Sequence, residues 1–587
     1  MMGKISSEIK QVDPVTIATA WHYIQRVCRE MRETVERTAT NVLVVTLHDM
    51  AYGIWDAEGR AIAIPEGFPP RLISSTYAIK RVKEKFAGNM HPGDVFLTNY
   101  PPDGAIHLPD WVFVRPIFYQ DKLVFFTCMG THVADSGGAQ PGSHFLAHDS
   151  IAEALNIPLI KIVDKGQWRD DVVELILANN RLPDMMRREM ASLMGSTGIA
   201  EQRMIELLDK YGKETVLASV EEMIQRTEKA VRAEIARWPE GTYSSESQTD
   251  DDGLTVGVPV TVRCTLTIKD GELTFDFSES DPQVKGMINS YYHQNLSNTL
   301  CTTFLFLGKE LSAYHNEGSM RPIHVVTRKG TIVDCHPGAL VAGAPAVTGS
   351  MVIEAVLNVL SKALPDRSIA AYSRLIGPIL VGNDPREGGL YIYTSFCASA
   401  GAGAVSGYDG YQCACDMGTL GVVGKSDAED EMVRFPWDII RYEYRTDAHG
   451  AGKWRGAPGV VWEAVNDSGN EATSIGGPWN GFFTQGSGQQ GGESTPINAA
   501  YVLSEGKRID IIHPHNQIKL KPGDRMVTLS GGGAGVGRPE ERDPEAVRMD
   551  VKNELVSIEM ARDKYKVVIN PETLEIDGEA TRKLRNT

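Results

Sequence analysis

The sequence predicts a multidomain α+β fold, with a sheet-rich N-terminal part, a helical middle segment and a glycine-rich mixed α/β C-terminal part. Strand-like apolar runs dominate residues 1–170, whereas apolar positions recur at helical spacing in residues 171–237. Glycine becomes dense in residues 238–541, and residues 542–587 return to a helical pattern with a charged tail. Because 587 residues exceed the size of one ordinary hydrophobic core, we expect these regions to mark separate domains.

The N-terminal part begins with an amphipathic helix, expected over residues 14–40 because apolar residues such as Trp21 and Ile24 recur at helical spacing. Two apolar runs joined by the letters DAEG follow, and Gly59 predicts a hairpin turn between them. We expect VLVVTL (residues 42–47) to form a strand in the first of these runs.

Two further hairpins are predicted from turn residues between apolar runs. Gln120 and Asp121 separate WVFVRPIFY from KLVFFTCMG, and Asp270 with Gly271 interrupts a run of alternating polarity. Between them, residues 237–253 are rich in turn-forming and acidic residues and indicate a boundary between regions.

Charge and hydropathy exclude several classes of partner. The formal net charge of −17 disfavours nucleic acid or an anionic membrane. The most apolar stretches, such as residues 352–360, fall short of the ~20 residues that a membrane-spanning helix needs. The N-terminal residues lack the apolar stretch of a signal peptide, so a cytoplasmic location is expected.

Histidine and aspartate are concentrated in the sheet-rich part, where they predict a metal site. The residues concerned are His107, His132, His144, His148, Asp103, Asp110, Asp135 and Asp149. Imidazole and carboxylate groups are the ligands of hard or borderline divalent metals. Pro109 stiffens a turn that carries His107 and Asp110, and His132 ends a strand expected to pair with the strand starting near Asp110. Asp49, after VLVVTL, offers a second carboxylate; the alternative interpretation is a polar network between loops.

No nucleotide-binding loop is recognisable in the chain. The segment GTLGVVGKS (residues 418–426) has Thr419 where a P-loop of the required spacing needs its first glycine. The glycine-rich residues 530–537 also lack dinucleotide-binding spacing and are expected to form a tight structural loop. Any ATP chemistry therefore belongs to a partner protein.

Several stretches resemble one known family. They include TLHDMAYGIWDAEGRAIA, PGDVFLTNYPPDGAIHLPDWVFVRPIF, GTHVADSGGAQPGS and the ending SGGGAGVGRPEERDPEAVRMD. With these motifs in order from about residue 10 to residue 580, the chain resembles the hydantoinase B/oxoprolinase family. Its most specific motifs are HLPD and the glycine-rich ending followed by RDP.

The resemblance implies one component of an ATP-dependent, hetero-oligomeric enzyme. In similar proteins a hydantoinase A-like partner with an actin/Hsp70-like fold binds ATP and magnesium and phosphorylates the substrate. The component that this chain resembles then processes the activated species at a metal centre. The implied metal ligands are Asp49, His107, Asp110 and His132, which suit zinc, manganese or iron.

Two reactions are compatible with the resemblance: carboxylation of a ketone through its enol phosphate, as in acetone and acetophenone carboxylases, and hydrolysis of a cyclic amide (hydantoin, 5-oxoproline or a lactam). Val133 replaces a histidine of hydantoinase-like members, which favours carboxylation. Asp135 or His148 is the candidate general base in either reaction. A non-catalytic scaffold is the third hypothesis.

Aromatic residues near the predicted ligands also favour carboxylation, because they suit an apolar or aromatic substrate. They are Tyr100, Trp111, Phe125, Phe126 and Phe145. The alternative interpretation, preferred for most of them, is ordinary packing in the core of the sheet.

Overall fold

The computed structural model describes residues 12–65, 67–311, 315–386, 388–399, 401–412, 416–477, 479–511, 513 and 517–586. Its helices are α1 (Pro14–Thr38), α2 (Val42–Val45), α3 (Pro69–Leu72), α4 (Ser74–Lys85), α5 (Ser150–Glu153), α6 (Asp170–Ala178), α7 (Pro183–Tyr211), α8 (Lys213–Ile235), α9 (Tyr292–Phe304), α10 (Glu317–Met320), α11 (Gly349–Ala363), α12 (Ala428–Arg434), α13 (Pro544–Lys552), α14 (Ile558–Asp563) and α15 (Gly578–Arg585). A π-helical turn, Ala344–Thr348, leads into α11.

The strands form four sheets, so the predicted α+β class is confirmed. They are β1 (Met50–Asp56), β2 (Ala61–Ala63), β3 (Val95–Thr98), β4 (Asp110–Tyr119), β5 (Lys122–His132), β6 (Ile160–Asp164), β7 (Gln167–Trp168), β8 (Gly241–Thr249), β9 (Val260–Lys269), β10 (Glu272–Asp276), β11 (Ile323–Val326), β12 (Ile379–Asp384), β13 (Gly389–Thr394), β14 (Trp437–Tyr444), β15 (Val460–Asn466), β16 (Ala472–Gly476), β17 (Ala499–Ser504), β18 (Lys507–Ile511), β19 (Ile518–Leu520) and β20 (Arg525–Leu529).

The first sheet has seven antiparallel strands in the order β2-β1-β5-β4-β3-β6-β7. Its β4–β5 hairpin turns at Gln120 and Asp121, whose φ angles of 50° and 60° are typical of the turns that match strand twist. The register of this hairpin places Asp110 opposite His132, which confirms the predicted pairing of their strands.

The expected VLVVTL strand is wrong. Residues 42–45 form helix α2, whose first turn is capped by the Asn41 side chain accepting a hydrogen bond from the backbone of Leu43. Packing of Leu43 and Val44 in the interior outweighs the strand preference of a valine-rich run. The DAEG hairpin joins β1 to β2 instead, so Asp49 lies just before a strand and not after one.

The helical middle segment is present as α6, α7 and α8. Helices α1 and α7 pack against each other, and the buried face of α1 includes Trp21, Ile24 and Cys28. Together these helices cover one face of the first sheet, because their apolar residues share a core with residues of β1, β4 and β5.

Residues 237–253, predicted as a boundary, contain strand β8. This strand pairs with β9 in the second sheet, of order β11-β10-β9-β8, in which β9 and β10 form the hairpin predicted at Asp270 and Gly271. This polar segment can form a strand because β8 exposes most of its side chains and buries few of them.

Two more sheets, of orders β13-β12-β16-β19 and β14-β15-β20-β17-β18, form the glycine-rich region, and α13 to α15 follow it. The glycine-rich ending packs against neighbouring backbone: a side chain at Gly533 would collide with the carbonyl of Ala402. Glycine is required there because the two chain segments approach too closely for a Cβ atom.

The most apolar helical stretch is longer than expected from sequence. The 20 residues from Ala344 to Ala363 have the length and composition of a membrane-crossing helix, but 94% of the helix's 18-residue apolar segment is buried inside the protein. The helix therefore packs as a core element, in contact with α9, β8 and β9.

Candidate metal centre

Three adjacent strands of the first sheet bring the predicted ligands together. Asp110 begins β4 and His132 ends β5, directly opposite each other. His107 lies one turn before Asp110, and its carbonyl accepts a hydrogen bond from the backbone N–H of Asp110 (3.0 Å). Asp49 precedes β1, where Met50 pairs with Thr131, so Asp49 is brought beside His132. We call Asp49, His107, Asp110 and His132 the histidine–aspartate cluster.

Oδ1 of Asp110 lies at the centre of this cluster. It is 3.2 Å from Nε2 of His107 and 3.7 Å from Nδ1 of His132. Oδ2 of Asp49 is 3.8 Å from the same His132 nitrogen. One ligand atom each from His107, Asp110 and His132 lie within 4.8 Å of one another, which is compatible with a shared ion.

The hydrogen bonding of the cluster is compatible with a bound divalent metal. Nδ1 of His107 lies 3.1 Å from the carbonyl oxygen of Ala342, to which it donates, so in the neutral imidazole Nε2 carries the lone pair. Among the described residues, this Nε2 and Oδ2 of Asp110 are buried without a hydrogen-bond partner. Two buried acceptors side by side are costly unless a cation satisfies them.

Burial and the charge of Arg71 shift the pKa values of the cluster residues in different directions. Burial opposes ionisation of Asp110, and the charge of Arg71 is the largest of the contributions that nevertheless hold its pKa below the ordinary value. Burial lowers the pKa of His132 to about 3, so its imidazole is neutral. Burial, which outweighs the opposing charge of Arg71, raises the pKa of Asp49.

Arg71, in α3, is a member of this site that the sequence did not reveal. Its side chain is completely buried. Nη1 donates to Oδ1 of Asp49 (2.9 Å), and Nη2 donates to Oδ1 of Asp110. The available signal was an arginine placed between Pro70 and Leu72 in an apolar segment.

The structure does not bring the two predicted general bases into the cluster. Asp135 is fully buried and its carboxylate accepts hydrogen bonds from the backbone N–H groups of Gly142 (2.9 Å) and Arg181 (2.7 Å), with the Arg181 guanidinium 3.3 Å away. These contacts fix the loop after β5. His148 is exposed.

The cluster opens onto a predominantly apolar cavity of about 120 Å³. Asp49, His107 and His132 lie in its wall. Its apolar lining consists mainly of Val42, Leu43, Phe68, Phe145, Leu375, Ile379, Ile392, Phe396, Val423 and Trp479. The rings of Phe145 and Trp479 meet edge to face, with centroids 4.6 Å apart.

Most of this wall could not be recognised in the sequence. Of the five aromatic residues considered there, Phe145 lines the cavity, whereas Trp111, Phe125 and Phe126 are core residues of the first sheet, as the alternative interpretation expected. Asp416 also lines the cavity, and its Oδ1 accepts a hydrogen bond from the backbone of Gly418 (2.8 Å).

The chain is similar in sequence to subunits of several enzymes. The beta subunit of a caprolactamase from Pseudomonas jessenii is 30% identical over 95% of this chain and 97% of its own length. The B subunit of a putative D-/L-hydantoinase from Pseudomonas sp. (strain NS671) is 27% identical over the full length of both chains. The delta subunit of the acetophenone carboxylase from Aromatoleum aromaticum is 23% identical over 98% of this chain and 89% of its own.

The same relationship holds for the fold. The crystal structure of the ATP-dependent caprolactamase from Pseudomonas jessenii superposes with a TM-score of 0.91, covering 98% of this chain and 100% of that chain at 28% identity. The family model described as hydantoinase B/oxoprolinase matches residues 13–539. The chain therefore belongs to the hydantoinase B/oxoprolinase family.

Proposed function

We propose that the chain is the metal-binding catalytic subunit of an ATP-dependent enzyme that hydrolyses a neutral, apolar cyclic amide. Its family relationships identify an enzyme subunit of the carboxylase or cyclic amidohydrolase type. The observation that carries the proposal is the histidine–aspartate cluster, with two unsatisfied acceptor atoms, at the wall of an apolar cavity. The caprolactamase relative and its crystal structure favour a lactam over the ketone preferred from sequence alone.

The chemistry of the cavity argues for an uncharged substrate. Among the described residues that line it, there is no lysine or arginine, while Asp49 and Asp416 are acidic. A ring that carries a free carboxylate, such as 5-oxoproline, would find no basic side chain to pair with. The rings of Phe145 and Trp479, which line the cavity, instead offer apolar contact to methylene groups.

The chain's own residues position the substrate and accept a proton. The apolar wall contacts the substrate, and the Ala342 carbonyl fixes the tautomer of His107. Asp416, buried at the same wall, is the carboxylate that we assign as general base in place of Asp135 and His148. A zinc, manganese or iron ion held by the histidine–aspartate cluster would supply Lewis-acid polarisation of the reacting oxygen.

A hydantoinase A-like protein is the proposed partner, and it would bind ATP and magnesium and phosphorylate the amide. Two of the relatives are named as beta and B subunits, which supports a hetero-oligomer. Residues 418–426 depart from P-loop spacing, which supports ATP binding by the partner and not by this chain.

Ketone carboxylation is the second candidate. The acetophenone carboxylase relative supports it, and the aromatic lining of Phe68, Phe145, Phe396 and Trp479 would suit an aryl ketone. The two candidates differ in the source of the atoms added to the substrate, which is water in one and bicarbonate in the other.

The test uses the chain reconstituted with its ATP-binding partner. Neutral lactams, 5-oxoproline and aryl ketones are supplied with ATP, ¹⁸O-labelled water and ¹³C-labelled bicarbonate. We expect ATP-dependent ring opening of a neutral lactam with ¹⁸O in the product carboxylate. Incorporation of ¹³C into a ketone would support the second candidate, and turnover of 5-oxoproline in preference to neutral lactams would contradict the proposed substrate class.

A further inference from the structure

Arg71 occupies an unusual position for a cation, because it contacts two of the four proposed metal ligands. Its guanidinium donates to Oδ1 of Asp49 and to Oδ1 of Asp110. The Asp110 oxygen is the same atom that lies 3.2 Å from His107 Nε2 and 3.7 Å from His132 Nδ1. Arg71 therefore contacts the carboxylate oxygen that faces both histidines.

Contacts hold both the backbone and the side chain of Arg71. Its carbonyl accepts hydrogen bonds from the hydroxyl groups of Ser74 (2.8 Å) and Ser75 (3.2 Å). A Cβ atom at position 130 would lie 3.0 Å from Cδ of Arg71. Gly130 therefore leaves the space that the arginine fills. Its guanidinium lies 5.1 Å from the ring centroid of Phe68. These contacts keep the charge fixed beside the two aspartates.

Arg71 offsets one of the two carboxylate charges of the centre. Asp49 and Asp110 are buried, Arg71 is fully buried between them, and the two histidines are the remaining members. A buried pair of carboxylates without a counter-cation would be strongly unfavourable. A divalent ion placed in the same cluster must share Asp110 with a cation that is already there, and the two positive charges repel each other.

We propose that Arg71 is a resident counter-cation that stabilises the preformed site and competes with the divalent ion for Asp110, thereby setting how tightly the ion is held. This inference rests on the proposed metal centre. It predicts that Arg71 weakens metal binding, whereas a residue that only orients the ligands would strengthen it.

The experiment compares Arg71→Met, which removes the charge, with Arg71→Lys, which keeps it. The full chain is stripped of metal, titrated with zinc and with manganese, and its melting temperature is measured with and without each ion. For Arg71→Met we expect a dissociation constant lower than that of the wild type by at least about tenfold. We also expect a lower melting temperature without metal and a larger rise on metal addition.

Controls separate this role from general disturbance of the fold. Arg71→Lys should bind metal with an affinity close to that of the wild type. Arg81→Met removes a partly exposed arginine, paired with Asp103 and Glu84, and should change neither affinity nor the metal-induced rise. If Arg71→Met does not fold without metal, Arg71→Gln is titrated in its place, and the same tighter binding is expected.

Equal or weaker metal binding by a folded Arg71→Met or Arg71→Gln chain would overturn the inference. The proposed centre would survive that result if the wild type binds metal and His107→Ala does not. Absence of metal binding in the wild type would instead remove the proposed centre, and the role of Arg71 with it.

Discussion

The histidine–aspartate cluster and the apolar wall of the cavity are built in different ways. The cluster comes from neighbouring strands β1, β4 and β5, whose register alone places Asp110 opposite His132. The wall is assembled from distant segments, with Phe68 from the first sheet region and Leu375, Phe396 and Trp479 from the glycine-rich region. The proposed metal ligands thus come from one sheet, whereas the shape offered to the substrate depends on how distant regions pack.

The largest expected effect comes from breaking the cluster at its most buried carboxylate. Asp110→Asn would leave the buried charge of Arg71 without one of its two partners, so we expect loss of bound metal and destabilisation of about 3 to 5 kcal/mol. Urea unfolding and metal analysis measure both effects. Asp171→Asn, in an exposed ion pair with Arg169, is the matched control and should leave stability and metal content unchanged. An unchanged unfolding free energy for Asp110→Asn would contradict the role of this ion-pair network.

The second prediction tests whether a residue of the cavity wall, Asp416, acts as the general base. We expect Asp416→Asn to lower kcat about 100-fold with little change in KM, because the general base is removed while the apolar contacts remain. Steady-state kinetics of the reconstituted enzyme measure it. Asp427→Asn, which alters the exposed cap of α12, should keep full activity. Full activity of Asp416→Asn would assign the proton to another group.

Truncating one aromatic ring tests whether the apolar wall contacts the substrate. Trp479→Ala should raise KM for a neutral lactam about tenfold or more, because the buried contact of the indole with the substrate is lost. Phe483 is 54% exposed, so Phe483→Ala provides a control without expected effect on KM. If both variants bind substrate like the wild type, the cavity is not the substrate site.

The last prediction concerns the pH dependence of stability that is due to Glu153. Its carboxylate accepts a hydrogen bond from the backbone N–H of Val341 (3.0 Å), beside the Ala342 carbonyl that orients His107. Burial raises the pKa of Glu153 from 4.5 to about 8. The folded state therefore binds this proton more tightly than the unfolded state, and the associated stability falls as the pH rises from 4.5 to 8.

The neutral Glu153→Gln variant should lack this loss of stability. We expect its unfolding free energy to decrease less than that of the wild type between about pH 5 and about pH 8.5, as measured by urea unfolding at both pH values. Parallel pH dependence of the two proteins would mean that Glu153 titrates normally in the folded state.

The same contrast explains what the sequence could predict. The α+β class, the β4–β5 hairpin and the turn carrying His107 and Asp110 follow from local patterns of polarity and turn residues. The prediction of a strand at residues 42–47 was wrong because a short valine-rich run has the same local pattern in a strand and in a buried helix.

Long-range packing accounts for what was missed. Arg71 gave no periodic signal, and its role depends on α3 packing against the ends of β1 and β4. Asp416 and Trp479 lie hundreds of residues from the cluster in sequence, and nothing local marks them as neighbours of His107. Asp135 was plausible by proximity in sequence, but Arg181 and Gly142 engage its carboxylate in a loop.

Metal content of the purified chain tests the central claim most directly. Wild type, His107→Ala, His132→Ala and the exposed-histidine control His148→Ala are analysed for zinc, manganese and iron. The account predicts about one ion per chain in the wild type and in His148→Ala, as expected for one mononuclear site, and loss of the ion in the other two variants. No metal in the wild type, or metal undiminished in His107→Ala and His132→Ala, would contradict the proposed centre.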